Sequence, residues 1–264
     1  MIKFLESSKT DVLCLQETKV SDKDFPFKPF KDLGYRVKVS GQKSYNGVAI
    51  ISKFDFQDLR IDFLGELKED EVEKPYLEQK RIISALINGV RIINVYVPNG
   101  SSLNSEKFEY KLKWLKLLSK YLSKQSERDE LTCLLGDFNI APRNEDIFDP
   151  KKYEGGIMAS ISEREALKNI LKNKFIDTFR VFEKDTGYWS WWDYRNNSYE
   201  LNKGWRIDHI YISNNLIPNL KSSVIARVER ENEQPSDHVP IIISLNFDEL
   251  SGEYDNNDDD LFEL

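Results

Sequence analysis

Cysteine and histidine are scarce in this sequence. Each occurs only twice among 264 residues, and Cys14 and Cys133 both lie inside apolar runs. A disulfide scaffold needs more cysteines than this, and thiols within apolar segments are typical of reduced, buried side chains. The cysteine usage therefore predicts a reducing compartment, which we interpret as the cytoplasm.

Long hydrophobic runs are also missing. The apolar stretches are too short to cross a bilayer, and the N-terminus lacks the basic and then apolar order of a secretory signal. The composition is 40% hydrophobic and 31% charged, which excludes a disordered or collagen-like chain. We expect a globular protein without membrane association.

The sequence has no overall excess of positive charge, but its negative charge is localised. Eight acidic residues and no lysine or arginine follow Phe247, so removing eight negative charges from the total of -7 leaves +1 for residues 1–247. We predict one catalytic domain over residues 1–247 and an acidic disordered tail over residues 248–264. The overall acidity consequently does not exclude a phosphate backbone as substrate.

Short apolar runs bounded by turn residues predict β-strands. These runs are residues 12–16, 48–52, 82–87, 91–97, 131–136, 209–213 and 239–245. The Asn88-Gly89 pair between two of them predicts a tight hairpin, and therefore antiparallel pairing.

Two segments between the strands predict helices. Residues 105–124 carry apolar side chains at three- and four-residue steps, and most lysines of this segment are interpreted as a solvated face. A second helix is predicted to begin at Ser162, with Glu165 completing a capping box. The mixture predicts an α+β or layered α/β domain.

Polar side chains suited to chemistry stand at the ends of four predicted strands. They are Glu17, Asp137 with Asn139, Asp208, and Asp237 with His238. Each could alone be a turn or cap residue, but strands that share one core would bring them to one rim. Their hard oxygen atoms, without a cluster of thiolates or imidazoles, favour Mg²⁺, with Mn²⁺ as the alternative, and disfavour zinc. Such sites commonly serve phosphoryl chemistry.

The two histidines receive different interpretations. His238 follows Asp237 and precedes a strand, which suits a general acid or base, or a donor to a phosphoryl oxygen. Asp208 is the candidate carboxylate that orients it. His209 lies within a predicted strand, which favours a structural role.

The motifs LQETK, NGVAI, NVYVPNG, GDFN, SWWDYR, GWRID and PSDHVP occur in this order. Together they resemble the exonuclease III family of apurinic/apyrimidinic endonucleases, from about residue 10 to about residue 245. GDFN and SDH are shared with the wider endonuclease/exonuclease/phosphatase superfamily, which includes DNase I, whereas YVPNG, WWDYR and GWRID are typical of its DNA-repair branch. The resemblance implies a DNase I-like fold, an α/β four-layered sandwich with two mixed β-sheets facing each other.

The resemblance also implies roles for individual residues. The implied metal ligands are Glu17, Asp137, Asn139 and Asp237. Asp137 and Asn139 are similar to the pair that activates and positions the attacking water, and Asp208 and His238 to the carboxylate–histidine pair. Tyr96 matches the tyrosine that contacts the scissile phosphate or the leaving oxygen. Whether the aspartate or the histidine takes the proton from water stays open.

Substrate contacts follow from the same resemblance. Trp191, Trp205 and Ile207 match an apolar pocket for a flipped-out sugar that lacks its base. Arg81, by the family match, and Lys43, by its place before YNGV, are candidate phosphate contacts. For Trp189 and Trp192 a place in the core is an equal alternative.

The N-terminus departs from the family pattern. Relatives begin with a strand that carries an asparagine in a motif close to WNVNS, whereas this sequence starts at Met1 in what should be the first helix. We expect the natural start to lie upstream of Met1. Mass spectrometry of the N-terminus of the native protein tests this expectation.

The sequence thus predicts a Mg²⁺-dependent hydrolase of DNA repair. It would act as a monomer on double-stranded DNA, incising at abasic sites and removing nucleotides or 3′-blocking groups. One alternative is a superfamily phosphodiesterase acting on lipid or inositol phosphates, which would not need the tryptophan pocket. Another is an inactive DNA-binding relative, suggested by the missing asparagine.

The end of the sequence, DDDLFEL, has two interpretations. It is a solvated tail, or it is a docking peptide that orders on a replication or repair partner.

Overall fold

The computed structural model describes residues 1–172 and 174–246. The strands in this part of the chain are β1 (Val12–Gln16), β2 (Arg36–Ser40), β3 (Val48–Ser52), β4 (Gln57–Ile61), β5 (Ile82–Ile87), β6 (Val90–Tyr96), β7 (Leu131–Asp137), β8 (Phe175–Asp177), β9 (Asp208–Ser213), β10 (Leu220–Ile225) and β11 (Ile241–Leu245). The α-helices are α1 (Ile2–Ser8), α2 (Phe27–Asp32), α3 (Lys74–Glu78), α4 (Glu106–Gln125), α5 (Pro150–Tyr153), α6 (Ile161–Leu171) and α7 (Thr178–Phe182). The predicted domain boundary at residue 247 and the acidic tail lie outside the described residues, and both stay predictions.

Six strands form the larger sheet, in the order β4-β5-β6-β7-β9-β8. Neighbouring strands are antiparallel except β6 and β7, which are parallel, so the sheet is mixed. The predicted hairpin joins β5 to β6, and Asn88 and Gly89 both have the positive φ that a tight hairpin turn requires. The parallel pair matters for function because β6 and β7 end at the same edge of the sheet.

The second β layer is divided among the described residues into two antiparallel sheets. Three strands pair in the order β1-β3-β2, and β10 pairs with β11. Apolar side chains of β3 pack against those of β5, β6, β7 and β9 to form the core between the layers. Cys133 is buried in this core and Cys14 packs at its edge; both thiols are free.

Helices cover the two outer faces. Trp114, Leu115 and Leu118 of α4 are fully buried against the larger sheet, together with apolar residues of α6. On the opposite side, α1 and α2 place Leu5 and Phe30 against β3. The order helices, sheet, sheet, helices confirms the predicted four-layered α/β sandwich.

The start of α6 differs from the prediction. Ser160, and not Ser162, is the N-cap, and the capping box is completed by Glu163, and not Glu165. Both pairs have the required spacing, but Glu163 is fully buried with a second partner on α4, whereas Ser162 and Glu165 are exposed. Two capping boxes were therefore compatible with the local sequence, and the tertiary contacts of Glu163 determine which of them forms.

Among the described residues, no helix combines the length and apolar character needed to cross a membrane.

Candidate active site

Strand ends from both β layers converge at one rim of the sandwich. Tyr96, the last residue of β6, lies opposite Asp137, the last residue of β7. Asp137 in turn lies opposite Asp208, the first residue of the antiparallel β9. The sheet register alone therefore brings three of the predicted residues together.

Asp137, Asp208 and His238 form the centre of this rim. One ligand atom of each lies within 4.8 Å of the other two. Nδ1 of His238 contacts Oδ1 and Oδ2 of Asp208 at 3.0 and 2.9 Å. The hydroxyl of Ser190 donates to Oδ2 of Asp208 at 2.6 Å and accepts from the backbone N–H groups of Ile207 and Asp208. The carboxylate that orients the imidazole is thus itself fixed by a fully buried serine.

The pKa values of the two catalytic candidates are shifted in ways that suit different roles. Burial, and then the negative charge of Asp208, raises the pKa of Asp137 to about 7. Burial would lower the pKa of His238, but the charge and hydrogen bond of Asp208 outweigh it and raise that pKa to about 10. At neutral pH the imidazole is therefore a cation, and the Asp137 carboxyl titrates near neutral pH.

Tyr96 links this centre to Glu17. Burial raises the pKa of the Tyr96 hydroxyl well above its usual range, and the charges of Glu17 and Asp137 raise it further. The hydroxyl therefore stays protonated and can donate. The Arg81 guanidinium lies over the Tyr96 ring, 4.7 Å from its centroid, and donates to the Tyr96 backbone oxygen at 3.1 Å.

Two residues of the rim have a left-handed backbone conformation. Asn139 has φ 49°, which asparagine adopts fairly readily, whereas the φ of 57° at Glu17 is uncommon for glutamate. Glu17 directly follows β1 and has a half-exposed carboxylate, which contacts Lys19 at 3.1 Å. Strain of this kind is commonly retained at functional sites.

Asn139 is held by three side-chain hydrogen bonds. Its Nδ2 donates to Oδ2 of Asp137 and to the backbone oxygen of Val97, both at 3.0 Å. Its Oδ1 accepts from Nδ2 of Asn99 at 2.9 Å. Asn139 is buried and Asn99 is exposed, so the amide pair leads from Asp137 to the surface of the site.

The predicted pocket residues occupy one apolar cluster, but only one of them reaches the surface. Trp205 and Ile207 are buried, whereas Trp191 is half-buried and its indole N–H donates to Oδ2 of Asp237 at 2.9 Å. The backbone of Trp191 forms isolated antiparallel β-bridges with Trp205 and with His238. Asp237 is therefore beside the site but already has a hydrogen-bond donor.

The remaining candidates lie outside the central cluster of the rim. Lys43 is exposed in the loop before β3, and backbone hydrogen bonds between Ser44 or Asn46 and Lys19 fix that loop beside Glu17. Trp189 and Trp192 are buried in the core. His209 is fully buried in β9: its Nδ1 accepts from Arg206 and its Nε2 donates to the Ile140 oxygen, which supports a structural role.

Four residues of the site were not found from the sequence. Ser190, Asn99 and Lys111 form hydrogen bonds to predicted residues, and Asn94 accepts from Gln16, which directly precedes Glu17. Asn94 carried a usable signal, because it is an amide in the middle of the apolar run RIINVYV, where no turn explains it. Asn99 stands in the quoted motif NVYVPNG. Ser190 opens the quoted motif SWWDYR. Lys111 gave no signal, since a lysine on a helix is ordinarily a surface residue.

The donor set fits a divalent cation. Asp137 and Asp208 place two carboxylates side by side, and burial together with the charge of Asp208 raises the pKa of Asp137, so a cation bound here would stabilise the ionised carboxylates. Glu17 adds an accessible hard oxygen ligand. Hard oxygen donors suit Mg²⁺ and Mn²⁺.

A carboxylate pair, a cationic imidazole and amide donors at the rim of a four-layered sandwich define a hydrolase of phosphate esters. The profile of the endonuclease/exonuclease/phosphatase family matches residues 1–238, and the chain belongs to this family. The family is metal-dependent.

Individual relatives narrow the family further. The chain is 34% identical over 250 residues to exodeoxyribonuclease III of Haemophilus influenzae, covering 90% of this chain and 91% of that protein. It is similar to the 3′ phosphatase NExo from Neisseria, solved with a product DNA hairpin, with TM-score 0.86, 35% identity and 92% of each chain covered. It is also similar to an AP endonuclease from Archaeoglobus fulgidus, with TM-score 0.86, 34% identity and 93% of each chain covered. The predicted membership in the exonuclease III family of AP endonucleases is confirmed, and the protein is a DNA-repair nuclease.

Proposed function

We propose that this enzyme hydrolyses DNA phosphodiesters at abasic sites and removes nucleotides or blocking groups from 3′ ends, with Mg²⁺ as its metal ion. The observation that carries the proposal is the cluster of Asp137, Asp208 and His238 at the rim. The relatives named for exodeoxyribonuclease III, 3′ phosphatase and AP endonuclease activity support the substrate.

Asp137 is the general base in this mechanism. Asp137 is the carboxylate at the centre of the rim that is not already paired with the imidazole, since His238 contacts Asp208. Asn139 donates to the Asp137 carboxylate and fixes its orientation towards the attacking water. The alternative base, His238, is already protonated at neutral pH because its pKa is about 10.

His238 instead acts as a cationic donor. Asp208 holds the imidazole, which places a positive charge where negative charge develops on the phosphoryl oxygens. Tyr96 contributes a neutral hydroxyl to the phosphate or to the leaving oxygen. The exposed amide of Asn99 offers a further contact to the phosphate.

Glu17, Asp137 and Asp237 would hold Mg²⁺, or alternatively Mn²⁺, which when bound neutralises phosphate charge and lowers the pKa of a coordinated water. Asn139 was predicted as a fourth ligand, but its three hydrogen bonds favour a positioning role.

Substrate selection depends on Trp191 and on basic residues around the site. The half-buried Trp191 would contact the flipped-out abasic sugar, and the buried Trp205 and Ile207 would support it from behind. Arg81 and Lys43 would contact phosphates of the duplex. A lipid or inositol phosphate would not need this arrangement of aromatic side chains.

Several further expectations remain proposals. They are the monomeric state, the cytoplasmic location, the single domain over residues 1–247, and a replication or repair partner for the tail.

The proposal is tested by cleavage of a duplex with one abasic site. We expect wild-type protein to cleave it with Mg²⁺ and not with EDTA, and Asp137→Asn to lower kcat by about 100-fold or more, because a general base contributes about that much. The matched control is Asp129→Asn, which changes an exposed carboxylate two residues before the start of β7.

Each alternative has its own outcome in this assay. Cleavage of an inositol or lipid phosphodiester without cleavage of DNA would favour the superfamily phosphodiesterase. Tight duplex binding without cleavage in any metal ion would favour the inactive relative.

A further inference from the structure

Lys111 and Glu163 form an ion pair that is fully buried beneath the active site. Both side chains have 0% exposure, and Nζ of Lys111 lies 2.5 Å from Oε1 of Glu163. Lys111 belongs to α4, whose other lysines are mostly on the solvated face, as the sequence predicts. Fully buried lysine side chains are rare in proteins, so the burial of Lys111 requires a structural or functional explanation.

The ammonium group of Lys111 uses all of its donors on residues around the active site. Besides Glu163, it donates to the backbone oxygen of Asn139 at 2.8 Å and of Asn99 at 3.1 Å. An ammonium group has three N–H donors, so none is left over. The two carbonyls belong to the same residues whose side chains form the 2.9 Å amide hydrogen bond of the site.

Glu163 extends these contacts to a third segment. Its carboxylate accepts from the backbone N–H groups of Met158 and Ser160 and from the Ser160 hydroxyl. Met158 has φ 66°, a conformation that is uncommon for a long side chain, and it packs in the cluster that contains Trp205 and Ile207. The ion pair therefore joins the loops after β6, after β7 and before α6.

Stability does not explain this arrangement. A buried ion pair generally contributes no more to stability than two apolar side chains of the same size, because both charges lose their hydration. Its directional hydrogen bonds, in contrast, specify the positions of their acceptors. Here two of the three acceptors of Lys111 are the backbone oxygens of Asn99 and Asn139, the amide pair that leads to Asp137.

We propose that Lys111, paired with Glu163, is a positioning residue that holds the Asn99–Asn139 amide pair in the arrangement required for attack on the scissile phosphate. It acts through two backbone carbonyls and does not touch the substrate. The inference rests on the proposed function, because it assumes that Asn139 orients Asp137 and that Asn99 meets the phosphate. A displacement of about 1 Å at such groups can lower a rate by about 100-fold.

Four variants separate positioning from stability. Lys111→Met removes the charge and the donors, Lys111→Arg retains both, and Lys111→Met with Glu163→Gln removes both charges so that no unpaired carboxylate stays buried. Lys113→Met, an exposed lysine of the same helix, is the matched control. For each variant kcat and KM are measured on the abasic duplex with saturating Mg²⁺, together with the free energy of unfolding.

We expect Lys111→Met to lower kcat by about 100-fold while KM changes by less than about threefold. Lys111→Arg should recover part of kcat. The double variant should regain most of the stability that Lys111→Met loses, yet keep the low kcat. A double variant with wild-type kcat would show that the pair is only structural and would overturn the proposal.

A second measurement does not depend on cleavage. Hydrogen exchange of the side-chain amide protons of Asn99 and Asn139, followed by NMR, should be slow in the wild type and in Lys113→Met and faster in the double variant. Unchanged exchange would contradict the positioning role. If the wild type did not cleave abasic DNA, the proposed function would fail, and the exchange result would still decide whether Lys111 positions the amides.

Discussion

At the residue scale, the active site depends on side chains whose orientations are fixed by hydrogen bonds. Asp208 accepts from His238 and from Ser190, and Ser190 accepts from two backbone N–H groups. Each member is at least partly buried, so a lost partner would leave a polar group without water to replace it. The chain of hydrogen bonds therefore fixes the orientation of the His238 ring.

Gly136, directly before Asp137, cannot carry a side chain. It has φ 138°, and a Cβ atom at this position would lie 1.9 Å from the backbone oxygen of Val95 on the neighbouring strand. We expect Gly136→Ala to lower the free energy of unfolding by more than about 3 kcal/mol, because the strands must move apart. Denaturant unfolding measures the effect.

The control for this substitution is Gly89→Ala. Gly89 also has a positive φ, 76°, but a Cβ atom there would meet nothing within 4 Å. Its replacement should cost only about 1 kcal/mol. Equal losses for the two variants would contradict the steric explanation.

His209 makes stability depend on pH. Burial, and then the positive charge of Arg206, lowers its pKa from 6.5 to about 4. Since the folded state binds this proton less readily than the unfolded state, the stabilisation is complete above pH 6.5 and falls as the pH drops towards 4. The loss should reach about 3 kcal/mol, from about 1.4 kcal/mol per pKa unit.

The contribution of His209 is isolated by comparison with His209→Gln, which offers both an acceptor and a donor but does not titrate. Unfolding free energies of both proteins are measured in EDTA between pH 7.5 and pH 4. This range includes the His209 pKa of the unfolded state, 6.5, and of the folded state, about 4. The stability of the wild type relative to the variant should decrease steadily below pH 6.5. A difference that is constant with pH would refute the shifted pKa.

Residue chemistry was only partly predictable from the sequence. Glu17, Asp137 and His238 stand next to apolar runs, so their pattern shows a polar group at the end of a strand. Lys111 has no such pattern, because a lysine on a lysine-rich helix gives the same local signal whether it faces water or a buried glutamate. Its role depends on contacts with residues 28 and 52 positions away in the sequence.

At the element scale, the start of α6 offers a direct comparison of two serines. Ser160 accepts from the Glu163 backbone N–H as the N-cap, whereas Ser162 is exposed. We expect Ser160→Ala to destabilise the protein by about 1–2 kcal/mol and Ser162→Ala to change stability by less than about 0.5 kcal/mol. Thermal or denaturant unfolding of the two variants measures these losses of stability. A larger loss for Ser162→Ala than for Ser160→Ala would contradict the assignment of Ser160 as the N-cap.

The strands that were predicted from the sequence include the most deeply buried ones. For example, β3 and β5 are mainly apolar along their whole length because both of their faces are buried. The strands that were not predicted, β2, β4, β8 and β10, are peripheral or very short. The burial of β4 shows the reason: four of its five residues are exposed, so its position is set by pairing with β5 and not by its own composition.

At the scale of the whole molecule, one buried amide connects the two β layers near the site. Asn94 of β6 donates to the backbone oxygens of Leu15 and Ala49 and accepts from Nε2 of Gln16. Gln16 directly precedes Glu17, so the position of Glu17 relative to Tyr96 is set by this connection. Sequence alone could not show it, because the partners are 45 to 79 positions apart.

The distribution of charge over the whole molecule predicts how DNA binding responds to salt. The body of residues 1–247 carries a formal charge of +1 despite the total of -7, so binding depends on local basic residues and not on net charge. Lys43 is exposed on the loop fixed beside Glu17, at the rim that the duplex would meet. Each phosphate contact releases counterions, so the affinity should fall linearly on a logarithmic plot against salt concentration.

We therefore expect Lys43→Met to weaken duplex binding and to reduce the slope of log Kd against log salt by about 1, the contribution of one phosphate contact. Fluorescence anisotropy with an abasic duplex in EDTA measures binding without cleavage. Lys116→Met, an exposed lysine on α4 in the outer helical layer, makes the same change in net charge and should leave the slope unchanged. If both variants reduced the slope equally, binding would respond to net charge alone, and the assignment of the duplex to the rim would lose its support.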